Sequence, residues 1–292
     1  MKTIKKILVI GGAGFIGSHL CQALVRTLNN EVTSLDNYTS GSIDNHVEGV
    51  KYINGDAKDI FTILDFVPDL IFHFGEYSRV ENSYENIEQV VSSNVIGTAN
   101  VLEYVRIKKC KLVYSGSSTK FADGEQGSSS SPYAWTKAKN TELVKNYGEW
   151  FGLKYAITYF YNVYGVREVS EGDYATLIGL FTNKMRVGAP LTVVSPGTQS
   201  RNFTNVKDII EALLLIGEKG EGDGYGIGHP NSYTVLQVAE LFNGKIEMLP
   251  ERKGNRQSSL LVTSKTQDLG WNCKHDLPTY IQGLKMRNWL TE

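Results

Sequence analysis

The chain is poor in cysteine, has no surplus of charge of either sign, and carries no long apolar run. Its three cysteines, Cys21, Cys110 and Cys273, are odd in number and far apart, which excludes a disulfide framework and any metal-ligand spacing. Each is expected to be a small core hydrophobe rather than a reactive thiol. Lysine and arginine number 30 against 31 aspartate and glutamate, so the net charge calls for neither nucleic acid nor a membrane surface. No apolar stretch approaches the roughly 18 residues that span a bilayer, and no secretory signal pattern opens the chain. The expectation is a soluble, cytoplasmic protein. What is there is 292 residues with 41% apolar content, enough for one large α/β domain or two smaller ones.

The first half alternates short apolar runs with helical periodicity. Strands are expected at Ile7–Ile10, Val32–Leu35, Val50–Ile53, Leu70–Phe74, Leu112–Tyr114 and Tyr155–Tyr161. Helices are expected over Phe15–Leu28, Glu85–Lys108 and Tyr133–Phe151, the last opened by Pro132 with Ser131 as its N-cap. Alternating β and α units imply a parallel sheet with helices on both faces. Strands buried on both sides are continuously apolar, as these are. Past about residue 165 the rhythm breaks into helices at Thr176–Arg186, Val206–Glu218, Val235–Phe242 and Leu277–Trp289, with short strands at Leu191–Val194 and Ile246–Leu249.

Gly12-x-Gly14-x-x-Gly17 follows a strand and opens a helix, with Gly11 ahead of it. Glycines there permit a tight turn and close approach of a pyrophosphate to the helix N-terminus. Asp36 ends the second strand, where a carboxylate bonds ribose hydroxyls and repels a 2′-phosphate, which argues for NAD over NADP. Asp56 follows the third strand and either reaches the adenine or is a loop aspartate.

Tyr133 and Lys137 lie four apart and share a helix face. A free tyrosine ionises near about 10, and an ammonium beside it favours the phenolate, so the pair can take a proton from a substrate hydroxyl. With a dinucleotide seat upstream, the pair points to hydride chemistry on an alcohol. A surface tyrosine beside a solvated lysine has the same spacing.

In order, these motifs resemble the extended short-chain dehydrogenase/reductases that act on nucleotide sugars. The resemblance rests on Gly11–Gly17, Asp36-Asn37-Tyr38, His73-Phe74-Gly75 with Ser78-x-Val80-x-x-Ser83, Asn94-x-x-Gly97-Thr98, Ser115–Ser118 and Tyr133/Lys137. Asn162–Gly165, Arg201-Asn202-Phe203-x-x-Val206-x-Asp208 and Leu269-Gly270-Trp271 extend it through the second half. It implies a Rossmann-like, doubly wound parallel sheet over 1–165 and a smaller mixed α/β C-terminal substrate-binding lobe over 166–292. The chain is expected to exchange back into the first domain near 200–230. For NAD it implies Gly11, Gly14, Phe15, Ile16, Gly17, Asp36, Asn37, Asp56, Ala57, Phe74, Gly75, Tyr133 and Lys137. Tyr133 is the implied general base, Lys137 the ribose ligand, and Ser117 the holder of the C4 hydroxyl, with Ser118 one register away. Asn162, Arg201 and Arg252 are implied to grip the nucleotide sugar, beside Ser78 and Asn255. A homodimer through a four-helix bundle is also implied.

The departures point to the reaction. Dehydratases of this family place Asp-Glu after the catalytic Thr, where this chain has Ser118-Thr119. Without that acid and base, chemistry confined to C4 is favoured: oxidation, then hydride return to the other face, a 4-epimerase reaction. Glu76 stands where the family has a small residue; it either supplies acid/base or substrate-binding function or is an exposed loop acid. A net C4 dehydrogenase or keto-reductase, a variant 4,6-dehydratase and an NAD-binding scaffold without activity are the competing readings.

Overall fold

A computed structural model describes residues 5–27, 30–118, 131–251 and 260–291. The first half supplies β1 (Lys5–Ile10), α1 (Phe15–Val25), β2 (Asn30–Asp36), β3 (Val50–Asn54), α2 (Ile60–Ile63), β4 (Leu70–His73), α3 (Ile87–Val90), α4 (Thr98–Lys108), β5 (Lys111–Ser117), α5 (Pro132–Phe151) and β6 (Tyr155–Phe160). The second half supplies β7 (Val163–Tyr164), α6 (Leu177–Arg186), β8 (Leu191–Val194), β9 (Ser200–Asn202), β10 (Thr204–Asn205), α7 (Val206–Lys219), β11 (Gly222–Ile227), β12 (Ser232–Thr234), α8 (Val235–Phe242), β13 (Ile246–Leu249), α9 (Ser264–Gln267) and α10 (Leu277–Met286).

Seven parallel strands form the main sheet in the order β11-β6-β5-β4-β1-β2-β3. Successive side chains of a strand point to opposite faces, and both faces of β1 are buried. Ile7 and Val9 pack with Leu20 and Leu24 of α1 and with Ile209, Leu213 and Ile216 of α7. Leu8 and Ile10 pack on the other face with Val101, Leu102 and Val105 of α4 and Val144 of α5. Each such aliphatic side chain contributes roughly 1.5–3 kcal/mol by leaving water. A third core, built on Phe181, Leu191, Val238, Phe242 and Ile281, holds the second lobe. There β8 pairs with β13, β9 with β12 and β7 with β10.

The strand order reverses between β1 and β4, and in open α/β sheets the crevice beyond the carboxyl ends at such a point is where ligands bind. Two local features shape it. The helix expected over Glu85–Lys108 is interrupted: α3 gives way at Val91–Gly97 to a wider π-helical turn before α4 begins. The cause is Asn94, buried there. Its side chain clamps the Tyr77 main chain (N–H at 2.7 Å, carbonyl at 3.2 Å) and reaches Thr136 Oγ1 at 3.0 Å, while its own carbonyl accepts from Asn140 Nδ2 at 2.7 Å. Helix α5 starts as its sequence demands: Ser131 Oγ accepts from the Ala134 N–H at 3.1 Å, Pro132 occupies the first turn, and Gly152 ends it at φ +66°.

Candidate active site

The glycine turn closes the end of β1. Gly11 has φ +86°, and a Cβ there would lie 2.8 Å from the Gly75 nitrogen, so the ends of β1 and β4 approach backbone to backbone. A Cβ on Gly17 would lie 2.0 Å from the Gly11 carbonyl oxygen. Helix α1 then begins at Gly14 without a side-chain cap and with no acidic residue in its first turn. Uncapped amides and an unopposed helix N-terminus suit a pyrophosphate. Asp36 braces the turn, its carboxylate accepting from the Ala13 and Tyr38 N–H groups, both at 2.9 Å. Burial holds the Asp36 carboxyl above its ordinary range, opposed by these bonds. Asp56 serves the local chain as well: it accepts from the Lys58 N–H at 3.0 Å and from Asn37 Nδ2 at 3.1 Å.

Next to this seat lies a buried polar cluster centred on Glu76. Its side chain is 3% exposed and pairs with Lys137, 5% exposed. The carboxylate also accepts from Thr98 Oγ1 at 2.6 Å, Asn140 Nδ2 at 2.8 Å and Tyr114 OH at 3.0 Å. Burial alone would raise the Glu76 carboxyl, but the Lys137 ammonium and the hydrogen bonds outweigh it and hold the acid below its usual range. Burial, and then the Glu76 charge, push the Tyr114 phenol well above its ordinary value, so it remains a neutral donor.

His73 lies behind Thr98, 2.9 Å from its hydroxyl, and burial pushes the imidazole down to about 4. Because Thr98 donates to Glu76, it accepts from His73 Nε2, which leaves Nδ1 without a partner among the described residues. Lys137 donates a second bond to the Ser115 carbonyl, at the end of β5. Glu76, expected at the substrate edge or exposed in a loop, therefore turns its carboxylate into the fold, because four donors from α4, α5 and β5 converge on it.

A cleft of about 1160 Å³ runs from the glycine turn to the second lobe. Gly11, Gly14, Phe15, Ile16, Gly17, Asp36, Asn37, Asp56 and Ala57 line one end, with Phe74 and Gly75 at its centre. Glu76, Ser78, Ser117, Ser118, Tyr133, Lys137, Asn162 and Arg201 line the other. Asn162 is held at φ +32°, a conformation uncommon outside glycine, and its carbonyl accepts from the Thr204 N–H at 3.1 Å. The expected ligands Arg252 and Asn255 lie outside the described residues.

A family model for the NAD dependent epimerase/dehydratase family matches residues 7–228. The chain belongs to that family. It is an enzyme of nucleotide-sugar chemistry, and its cofactor is NAD. It is 30% identical to the low-salt glycan biosynthesis protein Agl12 of Haloferax volcanii over 91% of this chain and 92% of that one. It is 29% identical to UDP-glucuronic acid decarboxylase 5 of Arabidopsis thaliana over 97% and 90%. The crystal structure of Thermus thermophilus UDP-glucose 4-epimerase with NAD superposes with a TM-score of 0.87, at 27% identity over 97% of this chain and 98% of that one.

Several residues of the enzyme's cleft region had no part in the expectations. Asn140 lies one turn beyond Lys137 on the same face of α5, and that spacing was its signal. Tyr114 sits in an apolar strand and gave none. Arg79 occupies an unspecified position between Ser78 and Val80, and Tyr174 a loop without a pattern; both line the cleft. The motif residues Asp208 and Trp271 are structural. Trp271 Nε1 donates to the Asp208 carbonyl at 2.9 Å, and the Asp208 carboxylate lies 2.7 Å from His275 Nδ1. Cys21 and Cys110 are buried, as expected of core hydrophobes, and burial pushes their thiols up to about 12 and about 11, whereas Cys273 is half-buried and its thiol donates to the Asp208 carboxylate at 3.1 Å. Among the described residues no group of three or more His, Cys, Asp and Glu side chains is placed to hold a metal ion, and no helix is long and apolar enough to cross a membrane.

Proposed function

We propose that the enzyme is an NAD-dependent nucleotide-sugar 4-epimerase. Tyr133 takes the proton of the C4 hydroxyl while Ser117 holds that hydroxyl in line. Lys137 holds the nicotinamide ribose and orients Tyr133. What NAD contributes when bound is a hydride acceptor at C4 that becomes the donor on the return. Asn162 and Arg201 hold the nucleotide diphosphate, for which the planar fork of an arginine is suited. After the keto sugar turns over, Tyr133 gives its proton back and C4 is inverted.

The observation that carries this reading is the fate of Glu76. Elimination of water requires a carboxylic acid at C6 and a base at C5, and Ser118-Thr119 supplies neither. Glu76 is a neighbouring acid, and its carboxylate is buried beneath Lys137 with every oxygen bonded. It is in no position to move a substrate proton, so the chemistry stays at C4. The likeness to the Thermus 4-epimerase supports the same conclusion.

The test is proton NMR of the purified enzyme with NAD and a panel of UDP-, GDP-, dTDP- and CDP-sugars. Inversion at C4 without accumulating NADH is expected. A new C6 methyl doublet, loss of the C6 carbon, or a 4-keto sugar matched by NADH would refute it. We further propose a cytoplasmic homodimer. Tyr84, Ile87, Val91 and Trp135 are exposed and edge a groove of about 380 Å³ between α3 and α5. A second copy laid along these helices covers them, and light scattering should return twice the 32.5 kDa chain mass.

A further inference from the structure

The segment between β4 and α3 brings four charged residues to the cleft, Glu76, Arg79, Glu81 and Glu85. Glu76 is neutralised by Lys137. Arg79, three residues further along the chain, has no ion-pair partner among the described residues. It lines the cleft with Tyr133, Ser117 and Tyr174. Its hydrogen-bond partners are two main-chain carbonyls, Ser78 at 3.3 Å and Tyr174. Its guanidinium carbon sits 5.6 Å from the centre of the Tyr174 ring. Its Nε is buried and has no partner among the described residues. Burial holds this guanidinium below its ordinary value, and the ionisable groups acting on it are tyrosines, Tyr133 first among them. Among the described residues no carboxylate pairs with it.

A cation taken partly out of water without a counter-ion is costly, and a guanidinium presents a fork of donors that matches a carboxylate. The site gains if the ligand brings the missing anion. The diphosphate is not that anion under the proposed reading, because Arg201 and Asn162 hold it. Tyr133 marks the position of the sugar's C4, so a charge that reaches Arg79 sits on the sugar ring itself. Lys137 is no rival for it, since Glu76 occupies its charge. Lys58 lines the adenosine end, beside Asp56 and Ala57.

We infer that Arg79 is a specificity residue that binds a carboxylate carried by the sugar, and that the substrate is a nucleotide-linked uronic acid rather than a neutral hexose. This rests on the 4-epimerase reading for where the sugar lies. The two stand or fall on different readouts.

The test is a ratio, measured on the NAD-loaded enzyme by titration calorimetry and by NMR turnover, of UDP-glucuronic acid to UDP-glucose. The wild-type enzyme should bind the acidic sugar more tightly by roughly tenfold to a hundredfold, the worth of a hydrogen-bonded charge pair. Arg79→Met should collapse the binding ratio towards or below one. Arg79→Lys, which keeps the charge and loses the fork, should retain part of it and guards against a variant that fails to fold. A wild-type ratio near one, or an Arg79→Met variant that weakens both sugars equally, overturns the inference. Equal weakening would place Arg79 with Tyr133 or with the fold. A high, Arg79-dependent binding ratio without C4 inversion would keep Arg79 as the carboxylate ligand and remove the epimerase.

Discussion

Replacing Glu76 by glutamine keeps the size of the side chain and removes its charge. Four donors meet the carboxylate: Lys137 Nζ, Thr98 Oγ1, Asn140 Nδ2 and Tyr114 OH. A glutamine offers one acceptor oxygen, and its amide hydrogens then point at groups that also donate. Lys137, 5% exposed, keeps only the Ser115 carbonyl. Breaking a buried pair from one side costs about 3–5 kcal/mol. We expect Glu76→Gln to lose about 3 kcal/mol, read as a lower urea midpoint at unchanged slope. The double variant Glu76→Gln/Lys137→Met should recover part of that loss, with a coupling of at least about 1 kcal/mol in a stability cycle. A Glu76→Gln protein within about 0.5 kcal/mol of wild type, or a cycle without coupling, would falsify the claim that Glu76 is the counter-ion of Lys137.

Three further outcomes are expected. Tyr133→Phe should lower turnover by roughly a hundredfold to ten-thousandfold while NAD binding, followed by fluorescence quenching, is retained; undiminished turnover would remove Tyr133 as the base. Gly17→Ala places a Cβ 2.0 Å from the Gly11 carbonyl oxygen, so the turn must shift, and NAD affinity should fall far more than for an alanine on the open side of α1. Burial raises the Glu168 carboxyl from 4.5 to about 7, opposed by bonds from Thr176 Oγ1 and the Gly165 N–H. Between those values the folded state binds the extra proton, so this group's stabilisation is complete below pH 4.5 and is lost as pH climbs through 7. Glu168→Gln should therefore gain on wild type by up to about 3 kcal/mol between pH 4.5 and 8 in urea titrations; a constant difference across that range sinks the argument.

The sheet was legible because its signals are local. The continuous apolar runs at Ile7–Ile10 and Leu70–His73 are buried on both faces, and the glycine spacing needs only its own turn. Ser131-Pro132 marked the start of α5 for the same reason. What was not legible depends on convergence. The direction of Glu76 is set by Thr98, Tyr114, Lys137 and Asn140, which come from three elements. The break in the helix at Val91–Gly97 leaves no trace in apolar periodicity, because it comes from the contacts of Asn94 with Tyr77 and with α5. Arg79 stood at an unspecified place inside a motif, and only its missing counter-ion draws notice to it.

The edge strand β11 belongs to the second half of the chain, yet it pairs parallel with β6, with a register shift between Gly222 and Tyr225, and Tyr159 OH donates to Asp223 across that pair at 2.6 Å. Helix α7, just before it, supplies much of one face of the main core. The two lobes are therefore not units of inheritance that recombine freely. A crossover between relatives at residue 165 would also swap α7 and β11, grafting a foreign helix and strand onto the nucleotide-binding sheet. Chimeras that exchange the rest of the second half while keeping the sheet need their breakpoints around the 163–205 segment and beyond Ile227.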